Sequence, residues 1–193
     1  MTWLEKYWKA SGLRDNRNAQ PNGYCVGPTA LKCFNMNDSA RLTENALRAF
    51  MFAQQEAYNR QHDKCDVDDL FYGIAASDER LTSEILNGAG ITHQNIHRYI
   101  MAAPSGKSPA ATEEGLPLSS SFKRAFELAF EAGDSHRHKK IDCIHILHGL
   151  LNTAVIEDLV PLMQALKANT DTLRSETYHL LSYEVDSSDQ GLL

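Results

Sequence analysis

The chain repeats itself, and that constrains its fold more than any other feature. Residues 42–74 and 118–150, an offset of 76, align without a gap as LTENALRAFMFAQQEAYNRQHDKCDVDDLFYGI over LSSSFKRAFELAFEAGDSHRHKKIDCIHILHGL. Arg48-Ala49-Phe50 falls on Arg124-Ala125-Phe126, Ala53 on Ala129, His62 on His138, Lys64 on Lys140, Asp66 on Asp142 and Gly73 on Gly149. With a gap of one residue the match continues, setting Leu86 on Met163 and Ile96 on Leu173. Two copies of one unit, each too small to bury its apolar face well alone, should pack against each other.

Each copy reads as four helices. Thr43 and Ser119 are placed to cap a long first helix, along which apolar residues recur at helical spacing: Leu47, Phe50 and Met51 in copy one, Phe122, Phe126, Leu128 and Ala129 in copy two. Gln54 interrupts the first stripe. The helices should end near His62 and His138. Asp66 and Asp142 then cap a second helix, and Asp69 stands where it completes a capping box in copy one. A third helix is expected from about Glu79 to Asn87, stopped by Gly88 and Gly90, and Thr92 and Thr170 are expected to cap fourth helices. The reading is all-α: two tandem four-helix repeats about a pseudo-twofold axis, behind an N-terminal arm. Composition agrees, since 43 Leu and Ala stand against five Val, and β-branched residues are what sheets select. The expected boundaries are an arm over 1–39, repeat one over 42–101, a Pro/Ser/Gly-rich linker over 102–116, repeat two over 117–181 and a frayed acidic tail over 182–193.

Several function classes lose support. Nineteen basic against 25 acidic residues give a net charge of −6, so no nucleic-acid partner is expected. No apolar run reaches the roughly 18 residues of a membrane span, and the start Met1-Thr-Trp-Leu-Glu-Lys does not read as a secretory signal. The four cysteines are therefore expected to be reduced thiols in a cytoplasmic setting. Histidine and cysteine gather at His136, His138, Cys143, His145 and His148, but only His145 and His148 share a helix face, so neither metal nor other cofactor is expected. Cys25 lies in a turn-rich stretch with no His near it in sequence, and no Gly-x-Ser-x-Gly appears; the chain is read as no enzyme. Arg137-His138-Lys139-Lys140 reads as a solvated loop. In the arm, Trp3, Leu4, Tyr7 and Trp8 can stack at i, i+4 along a short helix, and they are the candidate partner-binding residues.

A long first helix ending at a His, a capped second helix, then two shorter helices, all duplicated, resembles the Clp repeat domain, the substrate- and adaptor-binding N-terminal domain of Clp ATPases. Phe71-Tyr72-Gly73-Ile74 and Leu147-His148-Gly149-Leu150 stand where that family writes Leu-Leu-Gly-Leu. No Gly-x-x-x-x-Gly-Lys-Ser/Thr occurs, so the expectation is a domain without its ATPase, similar to the plastid and cyanobacterial accessory subunits of Clp protease. The resemblance implies a non-catalytic adaptor that binds a Clp chaperone, the protease core or a substrate, in the cytoplasm or a plastid stroma. The alternative is a ligand-sensing or peptide-binding module with an altered groove. Chaperone members from Gram-positive bacteria write Gly-Thr-Glu-His in each repeat, and the Glu meets the guanidinium of phosphoarginine. Here the Thr positions hold Val67 and Cys143, and the Glu positions hold Asp68 and Ile144. Family match thus marks Asp68, Asp69, Cys143 and His145 as groove-facing, with phosphoarginine disfavoured because Ile144 cannot pair with a guanidinium.

Overall fold

The computed structural model describes residues 40–102 and 116–188, with side chains to 182. The arm residues Trp3, Leu4, Tyr7, Trp8 and Cys25 lie outside the described residues. Eight helices occur among the described residues: α1 Glu44–Asn59, α2 Val67–Ala76, α3 Arg80–Gly88, α4 His93–Ala102, α5 Ser120–Ser135, α6 Cys143–Leu150, α7 Ile156–Ala165 and α8 Thr170–Ser188. The last runs past the expected boundary at 181.

The starts follow the local chemistry. The Thr43 and Ser119 hydroxyls accept the N–H groups of Ala46 and Phe122. Asp66 and Asp142 cap α2 and α6, each inside a reciprocal capping box. Glu79, expected inside α3, instead caps it, its carboxylate accepting from Leu81 and Thr82 N–H. Thr92 caps α4 as expected, but Asn169 rather than Thr170 caps α8, because its Oδ1 reaches the N–H groups of both Asp171 and Thr172.

Packing repeats with the same offset. Helix α1 crosses α2 at Gly73, where a Cβ would lie 2.1 Å from the Ala49 carbonyl oxygen; α5 crosses α6 at Gly149, where a Cβ would lie 2.1 Å from that of Ala125. The two copies then exchange contacts. Leu42 bridges to Ile141, and its counterpart Leu118 bridges to Cys65, the counterpart of Ile141. Thr43 Oγ1 donates to Asp142 Oδ1 at 2.8 Å, and Ser119 Oγ donates to Asp66 Oδ1 at 2.8 Å. Phe50 meets its counterpart Phe126 edge to face at 6.2 Å and Phe122 at 5.9 Å. Helix α4 packs on α7 as α8 packs on α3. One core therefore serves both repeats.

Gln54, the break in the first stripe, is buried. Its amide donates to the Leu116 carbonyl at 3.2 Å and accepts from the Leu116 N–H at 3.0 Å, tying α1 to the segment that leads into repeat two.

Candidate functional site

The exchange sets the N-terminus of α2 beside the N-terminus of α5. Between them and α7 lies an open cleft of about 450 Å³, lined by the loop and first turn of α2, by residues 119–121 and by Asp158. Five carboxylates line it, Asp63, Asp66, Asp68, Asp69 and Asp158, against the cations Arg60 and Lys64.

Most of these charges are engaged. Asp69 is fully buried; its Oδ1 takes Arg60 Nη1 at 2.6 Å and its Oδ2 takes the Asp66 N–H at 2.9 Å. Burial pushes the Asp69 carboxyl up to about 7, against the pull of that N–H and of the guanidinium. Burial also works against the charge on Asp66, but the Val67 N–H, the Ser119 hydroxyl and Lys64 outweigh it and hold the carboxyl below its usual range. Asp158 accepts from the Ser121 hydroxyl. Asp68 differs. It is half-buried, and its shielded Oδ1 has no hydrogen-bond partner among the described residues. Burial pushes its carboxyl up to about 6, with Asp66 and Asp158 adding to the rise and Arg60 opposing it. Tyr99 of α4 is close enough for the Asp68 charge to help push its phenol upward, after burial. A half-desolvated carboxylate without a donor is stabilised by any cation that enters the cleft.

The matching positions of repeat two are filled. Ile144 is buried, Cys143 is buried with Sγ 3.4 Å from Ser77 Oγ, and Asp142 serves Cys143 N–H and the Thr43 hydroxyl. His145 is buried too, accepting from the Asp142 N–H at Nδ1 and meeting His138 Nδ1 through Nε2 at 2.7 Å. So the four groove candidates separate: Asp68 and Asp69 line the cleft, whereas Cys143 and His145 are packed inside. Burial raises the thiols of Cys65 and Cys143 far above neutral pH, which leaves both as protonated packing groups. No group of three or more His, Cys, Asp or Glu among the described residues is arranged to hold a metal ion. The arrangement is a carboxylate-lined slot at the junction of two capped helices. Sequence reasoning missed Asp158, which lies in a different helix, and Tyr99; no motif marks either.

A family model for the Clp repeat (R) N-terminal domain matches residues 41–154. The chloroplastic chaperone ClpC1 of Oryza sativa subsp. japonica is 22% identical over 153 residues, covering 79% of this chain and 16% of that one. The chain thus spans about a sixth of the length of that relative. Among solved structures, the N-terminal domain of the chaperone ClpD from Arabidopsis thaliana matches with a TM-score of 0.61 and 28% identity, over 74% of this chain and 95% of that one. A ClpV N-domain solved in complex with a VipB peptide matches in fold, with a TM-score of 0.56 and 15% identity, over 75% of this chain and 89% of that one.

Proposed function

The chain belongs to the Clp repeat (R) N-terminal domain family, and on that footing we propose that it is a non-catalytic recognition protein of a Clp chaperone–protease system. It binds a Clp ATPase, the protease core or a substrate on its way there. The supporting observation is Asp68, a half-buried carboxylate with a shielded oxygen that has no hydrogen-bond partner among the described residues, lining a cleft in which Asp66, Asp69 and Asp158 are already engaged. A basic side chain of a partner polypeptide fits that slot, its cationic head on Asp68 and its approach favoured by Asp66 and Asp158. Phosphoarginine is disfavoured, because its phosphate would face the same carboxylates. That a ClpV N-domain takes a VipB peptide is in keeping with a peptide ligand. Trp3, Leu4, Tyr7 and Trp8 supply a second, apolar contact in this reading. The setting in this reading is the cytoplasm or a plastid stroma, the latter in keeping with the chloroplastic relatives; no described helix is long and apolar enough to cross a membrane.

The test is affinity capture from the native cell with the full chain, an Asp68→Asn variant and a chain lacking residues 1–36, with Clp chaperone and protease subunits quantified in each. Enrichment by the full chain that falls at least fivefold in Asp68→Asn supports the cleft. Absence of every Clp subunit from all three eluates overturns the adaptor reading.

A further inference from the structure

The two capping boxes are built from different acceptors. In repeat one the Asp66 N–H donates to a carboxylate oxygen of Asp69 at 2.9 Å. In repeat two the Asp142 N–H donates to His145 Nδ1 at 3.1 Å. An imidazole accepts only through a bare nitrogen, so the His145 proton sits on Nε2 and is donated to His138 Nδ1, 2.7 Å away. His138 then carries its own proton on Nε2, an atom that is shielded and has no partner among the described residues. Each step fixes the next, and all of it requires both rings to be neutral.

The surroundings make a further proton unwelcome. His136 stacks on His138 at 5.8 Å, and Tyr178, 57% exposed, lies over both His136 and His148. Arg41 comes in from the start of repeat one, donating to the His138 carbonyl at 3.3 Å, and Arg174 from α8 lies near enough to disfavour charge on His148. The acids are committed elsewhere: Asp134 to Arg41 at 2.6 Å, Asp142 to Cys143 N–H and the Thr43 hydroxyl, Glu79 to the N-terminus of α3. Burial, then the neighbouring imidazoles His138 and His136, hold His145 down to about 4, and burial lowers His138 and His148 as well.

We propose that repeat two carries an acid-sensitive latch: neutral His145 and His138 hold the first turn of α6 to the α5–α6 loop, and protonation opens that joint. A proton on His145 Nδ1 sets a donor against the Asp142 N–H. A proton on His138 Nδ1 sets two N–H groups face to face. Either way the chain of bonds is lost. Repeat one does not open in acid, since a protonated carboxyl keeps an acceptor oxygen where an imidazolium keeps none, and the raised Asp69 carboxyl makes acid favour the closed form there. The loop that is freed ends at Ile141, whose N–H and carbonyl pair with Arg41 and Thr43 across the repeats at 2.8 and 2.9 Å. Opening therefore loosens one of the two backbone bridges and leaves the Cys65–Leu118 bridge in place.

Two measurements on the intact chain test this. Nitrogen-15 imidazole spectra at pH 7.5 should show His145 and His138 as Nε2–H tautomers; an Nδ1–H tautomer at His145 overturns the proposal. Hydrogen exchange, corrected for intrinsic rates, should show protection at the Ile141 and Asp142 amides falling roughly thirtyfold between pH 7.5 and 5.0, the linkage expected for one proton taken up on opening. The matching Cys65 and Asp66 amides should lose no protection over that interval, because the raised Asp69 carboxyl makes acid favour the closed form of repeat one. In His145→Asn, whose side-chain oxygen accepts without titrating, the fall at Asp142 should vanish. Equal losses in both repeats, or no loss in the parent chain, overturn the latch even where the variant does not fold.

Discussion

At the level of single residues, Asp68 carries a consequence for stability that the proposed binding role would reverse. Its carboxyl stands near 6 in the folded chain and at an ordinary 3.8 when unfolded. Between those values the folded state holds more protons than the unfolded state, so this residue makes stability fall as pH rises from 4 to 6. Asp68→Asn removes that loss. Relative to the parent, the variant should gain less than about 0.5 kcal/mol at pH 4 and about 2 kcal/mol at pH 7, figures discounted for partial exposure. Urea melts at both values check the sign: a variant that is less stable at pH 7 would mean that the carboxylate has a donor. In the proposed function the cation that satisfies Asp68 arrives with the partner, and a cost in stability to the free chain is what that proposal expects.

Among the helices, the crossings matter more than the helices themselves. Gly149 is replaceable by no side chain without pushing α5 from α6, because the atom in the way is the Ala125 backbone oxygen, which cannot rotate aside. Gly149→Ala should cost about 3 kcal/mol in a denaturant melt. At Gly88, the end of α3, an added methyl group would meet nothing within 4 Å, so Gly88→Ala should be neutral or stabilise by up to about 1 kcal/mol. A gain at both would show that helix propensity, not the crossing, governs Gly149. The caps were readable for a simple reason: the acceptor and the N–H groups it serves lie within three residues, as Thr43, Asp66 and Ser119 illustrate. Thr170 misled because Asn169, one position earlier, has the better reach.

For the whole molecule, the exchange of Leu42–Ile141 and Leu118–Cys65 makes the repeats mutually dependent. Phe50 lies where they meet, fully buried against Phe122 and Phe126. Phe50→Ala should lower stability by about 4 kcal/mol. It should also leave a single unfolding transition when each repeat is followed by its own probe, since neither half keeps a core without the other. Two separated transitions would mean that the halves fold independently.

The duplication, the all-helical fold and most caps were legible in the order of the amino acids, because each depends on residues near one another in the chain or repeated at a fixed offset; Gly73 and Gly149 showed only as a repeated pair, and the crossings they permit belong to the packed molecule. That order placed Asp68 and Ile144 in matching positions and could go no further. It took the packed molecule to show that Asp68 opens to a cleft while Ile144, Cys143 and His145 are sealed. That outcome turns in part on a partner far away in the chain, Ser77 against Cys143, 66 positions apart. A twofold repeat supplies two equivalent places, and the side chains brought from the other copy decide which of them stays open.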